Sequence, residues 1–168
     1  GTFQWSKVFF YTTAYVNDHV LNDVAEVSDG YIFGGSASQS VVDDDGTDAV
    51  VLKTDLNGNL QWMKKWGSSS SSQSVNALVS LSASEVMASG DDNSKMFYEK
   101  ISSSGTSNGG YSYTFPGLLS VATAYNGFVT NDGNYGFIGS DIVPLSFAFN
   151  SFVMKVSPAN GNVSFART

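Results

Sequence analysis

The sequence predicts an all-β protein built from tandem repeats, and three observations carry that prediction. Helix-forming charged residues are scarce. Only 14% of the 168 residues are charged, while Ser (27) and Gly (17) hold the places Lys and Glu usually take. Apolar residues fall in runs of four to eight, rich in Val, Ile, Tyr and Phe and bounded by Gly, Asn, Asp or Ser, which is the pattern of strands. Whole segments also recur with a period of just over 50 residues. Hydrophobic residues at 42% and aromatics at 14% supply a real core, so wholesale disorder is excluded. A chain of 17.9 kDa makes one ordinary domain, or part of a larger one.

Four recurring segments make up the period. One is a Gly followed four residues later by an aromatic: Gly1 to Trp5, Gly58 to Trp62, Gly109 to Tyr113 and Gly161 to Phe165. These aromatics lie 57, 51 and 52 residues apart. An apolar residue or ring stands two after each Gly, at Phe3, Leu60, Tyr111 and Val163, so the segment alternates as a strand does. A looser apolar segment follows at Val24–Val27, Ala77–Leu81 and around Gly127–Val129. Next come Asp29–Gly35, Ser84–Gly90 and Gly133–Gly139. The last is Ala49–Asp55, Met96–Ser102 and Ser151–Ser157, with Lys53, Lys100 and Lys155 at one shared position. Recurrence predicts a structural role for these lysines, pairing with an Asp or reaching solvent at a strand end. Asn57-Gly58 and Asn160-Gly161 carry the chemistry of tight turns, because both residue types tolerate positive φ.

Four short antiparallel strands per repeat of this length predict β-propeller-type blades. The repeats span approximately 1–57, 58–108 and 109–160, and 161–168 opens a further blade. The pattern DGYIFGGS…DAVVLKTDLNGNLQW resembles the tandem β-propeller repeats of secreted and cell-surface proteins. It is more distantly similar to quinoprotein-type blades, in which a Gly-x-x-x-Trp segment docks each blade on its neighbour. The resemblance is strongest over residues 29–66. It is weakest over 84–115, where the second repeat lacks the Asp-Gly turn and the Asp before its Lys-bearing strand. It implies a fold and an extracellular or cell-surface setting, and no particular chemistry.

Propellers typically close with four to eight blades. Three repeats and a surplus strand therefore lead to an expectation of assembly: a ring of two copies, an open filament, or further blades of the same protein. The connection Asp141–Asn150 is apolar, with Ile142, Val143, Pro144, Leu145, Phe147 and Phe149. With Val163 and Phe165 of the terminal strand it forms the expected interface, since large apolar patches rarely stay bare. The alternatives are that the loop folds over its own blade and that the chain is a self-sufficient monomer.

The residues limit the chemistry. A net charge of −7 argues against nucleic acid as partner. Without cysteine there is no disulfide, thiolate nucleophile or Cys-ligated zinc. No apolar run reaches the length of a transmembrane helix. Within Asp43-Asp44-Asp45-Gly46-Thr47-Asp48, the carboxylates of Asp43, Asp45 and Asp48 are candidate calcium ligands, against a plain solvated acidic turn. His19 is the single histidine and has no Gly-x-Ser-x-Gly elbow for company, so it is read as a surface residue. Gly67–Ser74 reads as a flexible linker, or as an O-glycan site outside the cell. Asn162-Val163-Ser164 matches an N-glycan acceptor. Trp66 lies outside the repeat and is free to serve a surface, for example by stacking on a sugar. The expected function is a non-enzymatic extracellular structural or interaction protein. A glycan- or protein-binding module of a longer surface protein is the alternative, and a hydrolase comes third.

Overall fold

The computed structural model describes residues 5–9, 19–38, 46–67, 72–115, 121–143 and 148–167. All regular structure among them is β. Sheet 1 contains β1 (His19–Val27), β2 (Gly30–Ser38), β3 (Thr47–Thr54) and β4 (Leu60–Trp66). Sheet 2 contains β5 (Gln73–Ser82), β6 (Glu85–Asp92), β7 (Lys95–Ser102) and β8 (Ser107–Tyr113). Sheet 3 contains β9 (Val121–Val129), β10 (Tyr135–Val143), β11 (Ala148–Val156) and β12 (Val163–Arg167). Every sheet is an antiparallel meander in chain order, as a run of short hairpins dictates.

The three sheets stack face to face in tandem, as propeller blades do. β3 is buried along nearly its whole length, which explains its unbroken Ala49-Val50-Val51-Leu52 run: both of its faces meet protein. One core lies between sheets 1 and 2 and includes Ile32, Val51, Val75, Val86 and Phe97. A second lies between sheets 2 and 3 and includes Met87, Tyr98, Tyr135, Phe137 and Phe152. Sheet 2 therefore feeds Val86 and Ala88 to one core and Met87 to the other, as period-2 alternation requires. Below, the face that meets the following sheet is the forward face, and the opposite one the back face.

Two backbone devices repeat in every sheet. The first strand carries a bulge opposite Gly35, Gly90 or Gly139, where any Cβ would run into the carbonyl of Val20, Ser74 or Thr123. The turn before the fourth strand places Gly58, Gly105 and Gly161 at φ of 76, 81 and 69°, a region L-residues avoid.

Sequence period and sheet boundary are out of phase by one strand. The Gly-x-x-x-aromatic segments from Gly58, Gly109 and Gly161 lie in the fourth strand of the sheet before them, because a short hairpin ties them there: Lys53 pairs with Trp62 and Lys155 with Phe165. The second copy is also shifted. Its turn glycine is Gly105, so Gly109 takes the place of Trp62, and Tyr111 and Tyr113 stand two and four residues further along β8.

Candidate functional site: a repeated docking interface, its open end and an inter-sheet cleft

Each sheet docks on the next through three contacts that repeat. At the inner strand, the extra residue of the bulge reaches across. The Nδ2 of Asn22 donates to the carbonyl of Val75 (2.8 Å), and the Nδ2 of Asn76 donates to the equivalent carbonyl of Ala124 (3.1 Å). At mid-sheet, the cross-strand pairs Gly34–Val51 and Ser89–Tyr98 press into the following sheet. At the outer strand, an aromatic lies on the next turn glycine. Trp62 covers Gly105 and its Nε1 donates to the carbonyl of Ser103 (2.9 Å). Tyr111 covers Gly161, and the Tyr113 hydroxyl donates to the Gly161 carbonyl (2.9 Å). Trp5 does the same for sheet 1, its ring lying 2.8 Å from where a Cβ on Gly58 would stand. Glycine is required at these turns by the close approach as well as by φ.

Among the described residues, the forward face of sheet 3 carries the same positions without a cover. The pair Ile138–Val153 corresponds to Gly34–Val51 and Ser89–Tyr98. Val153 is 45% exposed, where Val51 and Tyr98 are 0 and 1%. At the bulge, Tyr125 holds the place of Asn22 and Asn76 and is 58% exposed, its hydroxyl bonded to the Ser140 Oγ at 2.7 Å. Phe149 is 72% exposed and Phe128 folds over Gly136. The back face of sheet 1 is covered by contrast. Trp5 packs on Tyr31 and Phe9 on Phe33, and Val50 and Leu52 are buried, with a cavity of 300 Å³ left beneath Trp5, Val8 and Phe9.

Between sheets 1 and 2 lies a further cleft of 310 Å³. Its lining includes Trp66, Asp92, Phe97, Glu99 and Tyr111. Trp66 meets Phe97 edge-on at 6.4 Å. An adjoining space of 80 Å³ adds Trp62 and Lys64, whose Nζ donates to the Gly105 carbonyl.

Electrostatics follow local contacts. Lys53, nearly buried, pairs with Asp29 at 3.0 Å, and Lys155 pairs with Asp132 at 2.5 Å. Lys100 has no such partner among the described residues, because Ser84 stands where Asp29 does in the first repeat. The Lys155 ammonium and the Thr130 hydroxyl hold the Asp132 carboxyl well below the usual carboxylate range. Burial pushes the phenols of Tyr98, Tyr113 and Tyr135 up. Tyr98 is the most perturbed, since the neighbouring tyrosines add to its burial. Burial also raises Asp91.

The residues singled out from sequence fall as follows. Asp48 is buried and its carboxylate meets the Lys65 Nζ at 2.5 Å, while Asp43 and Asp45 lie outside the described residues. No group of three or more His, Asp or Glu converges among the described residues. Ile142 and Phe149 lie at the loop end of the β10–β11 hairpin. Val143 pairs with Ala148, and Pro144, Leu145 and Phe147 lie outside the described residues. Val163 is exposed on β12, where Phe165 pairs with Lys155. His19 begins β1 and lines the cavity under Trp5. Sequence reasoning passed over Tyr125, Ile138, Val153 and Glu99.

No family model matches the chain, and no curated protein matches it. A solved structure described as a protein of unknown function from Bacteroides caccae is similar at a TM-score of 0.49 and 10% identity, over 89% of this chain. The chain spans 61% of that protein's length. No helix among the described residues is long and apolar enough to cross a membrane.

Proposed function

We propose that this chain is a non-enzymatic interaction module of the propeller-blade type, and that it associates with a second copy through the forward face of sheet 3. One observation carries the reading. The positions that bury Val51 and Tyr98 in two successive interfaces leave Val153 45% exposed in the third. Exposed Tyr125, Ile138 and Phe149 on that face extend the patch. Trp5 to Phe9 already cover sheet 1, so head-to-tail closure would have to displace them, whereas two copies can meet sheet 3 against sheet 3. That contact is isologous and two-fold.

The expected strength follows from size. Four strands at about 4.8 Å spacing and some 25–30 Å long present roughly 500 Å² per copy, below the roughly 800 Å² per partner of a standard stable complex. Self-repulsion between copies of net charge −7 weakens it further. The association is therefore weak and strengthens with salt. The resemblance to secreted and cell-surface repeats supports an extracellular setting for such contacts. The chain contains no cysteine, so Val153→Cys provides a single thiol. Its alkylation rate should fall as protein concentration rises. A rate independent of concentration contradicts the reading.

A further inference from the structure

The cleft between sheets 1 and 2 departs from the repeat at three neighbouring positions. Glu99 on β7 stands where Leu52 and Met154 stand in the other sheets, at 1 and 2% exposure. Across from it on β6 is Ala88, where the other sheets have Phe33 and Phe137. On its other side is Gly110, where sheet 1 has Met63 and sheet 3 has Ala166. A carboxylate and a methyl group thus replace large apolar side chains, and a bare backbone stands beside them in the same patch. Gly110 is held there by the close approach of the Tyr98 carbonyl. The space so opened is the 310 Å³ cleft, with Trp66 as its opposite wall.

Hollowing a core in this way costs packing, and it leaves Glu99 half-buried with no hydrogen bond or ion pair among the described residues. Asp92 lies on the same face and lines the same space, its Oδ1 accepting from the Gln73 Nε2 at 3.0 Å. The nearby cations leave the position open. The Lys64 ammonium is turned to the Gly105 carbonyl, and Lys95, across from Asp92, is exposed and outside the lining.

We propose that this cleft binds an organic cation, an alkylammonium or guanidinium group held between Glu99, Asp92 and the Trp66 indole. A carboxylate withdrawn from water attracts a cation more strongly than an exposed one. Indole is the best of the aromatic rings for cation–π contact, and aromatic cages with acidic neighbours suit such groups. The net charge of −7 raises the local concentration of cations around the chain.

The test follows the Trp66 indole N–H by two-dimensional NMR on the whole chain, titrated with four probes. Tetramethylammonium represents a free cation, and an uncharged-ended peptide with one arginine represents a protein side chain. A citrulline analogue of that peptide and glucose are the neutral probes. The cations should shift Trp66 saturably, with citrulline and glucose weaker by about tenfold or more. The stronger of the two cationic probes identifies the source of the ligand. Glu99→Met restores the residue of the third sheet, so it should raise the thermal midpoint while weakening the cations by about tenfold or more. Equal shifts with citrulline, tighter binding of glucose, no cation shift, or undiminished binding by Glu99→Met each overturns the proposal.

Discussion

Replacing the turn glycines by alanine separates backbone strain from inter-sheet docking. Gly133 and Gly105 have nearly the same φ, 77 and 81°, and each closes a turn by donating its N–H to a residue three back. A Cβ on Gly133 meets nothing within 4 Å, so Gly133→Ala carries the left-handed penalty alone, about 1–2 kcal/mol. A Cβ on Gly105 would stand 3.1 Å from the Lys64 Cε and 3.2 Å from the Trp62 ring. Trp62 must then retreat and loosen its 2.9 Å bond to the Ser103 carbonyl, at a further cost of about 1 kcal/mol or more. Gly105→Ala should therefore destabilise by about 2–3 kcal/mol in total, by adding these two terms. Gly161→Ala should equal or exceed it, since Tyr111 ring atoms lie 2.5–2.6 Å from its Cβ position. Urea unfolding at constant m reads the difference directly. Equal midpoints for Gly133→Ala and Gly105→Ala would refute the docking argument.

Other outcomes follow from the same contacts. Burial raises the phenols of Tyr98, Tyr113 and Tyr135, so the fold favours their neutral form. That stabilisation is complete below the ordinary tyrosine value of about 10 and is lost as pH rises above it, so urea midpoints should fall at alkaline pH and recover in Tyr98→Phe relative to wild type. Asp132, held low, contributes above the ordinary carboxylate value of about 4 and loses that contribution as pH falls; Asp132→Asn should flatten the acid limb. Asn76→Ala leaves the Ala124 carbonyl without its partner from sheet 2 and should cost about 1–3 kcal/mol in unfolding experiments. Tyr125→Ala, at the equivalent place on the open face, should leave monomer stability within about 0.5 kcal/mol while weakening self-association. Asp29→Ala strands the nearly buried Lys53 and should be more damaging than Asp132→Ala, whose partner Lys155 reaches solvent.

The four-stranded repeat is legible in the sequence because its marks are local: a Lys at one strand position, turn glycines, and apolar runs of strand length. The phase is not marked by similarity, since a periodic pattern can be cut anywhere. The signal that sets it is connection length. Only five residues join β3 to β4, a hairpin, while a serine-rich stretch separates β4 from β5. The register of β8 misleads because Gly109 resembles a motif glycine, while the residue with the turn conformation is Gly105. Glu99 already stands against Leu52 and Met154 in the aligned repeats, but the cleft becomes visible only when the strand register sets Ala88 and Gly110 beside it. Whether an apolar face is covered is not a local property at all. Val51, Tyr98 and Val153 hold one position of the repeat, and their exposure depends on whether another sheet packs on them.

Native mass by light scattering across a concentration series, comparing wild type with Val153→Lys, decides whether two copies meet through the forward face of sheet 3. Wild type should rise from 17.9 kDa toward twice that value with concentration, more steeply at higher salt, and Val153→Lys should stay at 17.9 kDa throughout. A wild type that remains at 17.9 kDa at every concentration and salt would contradict it.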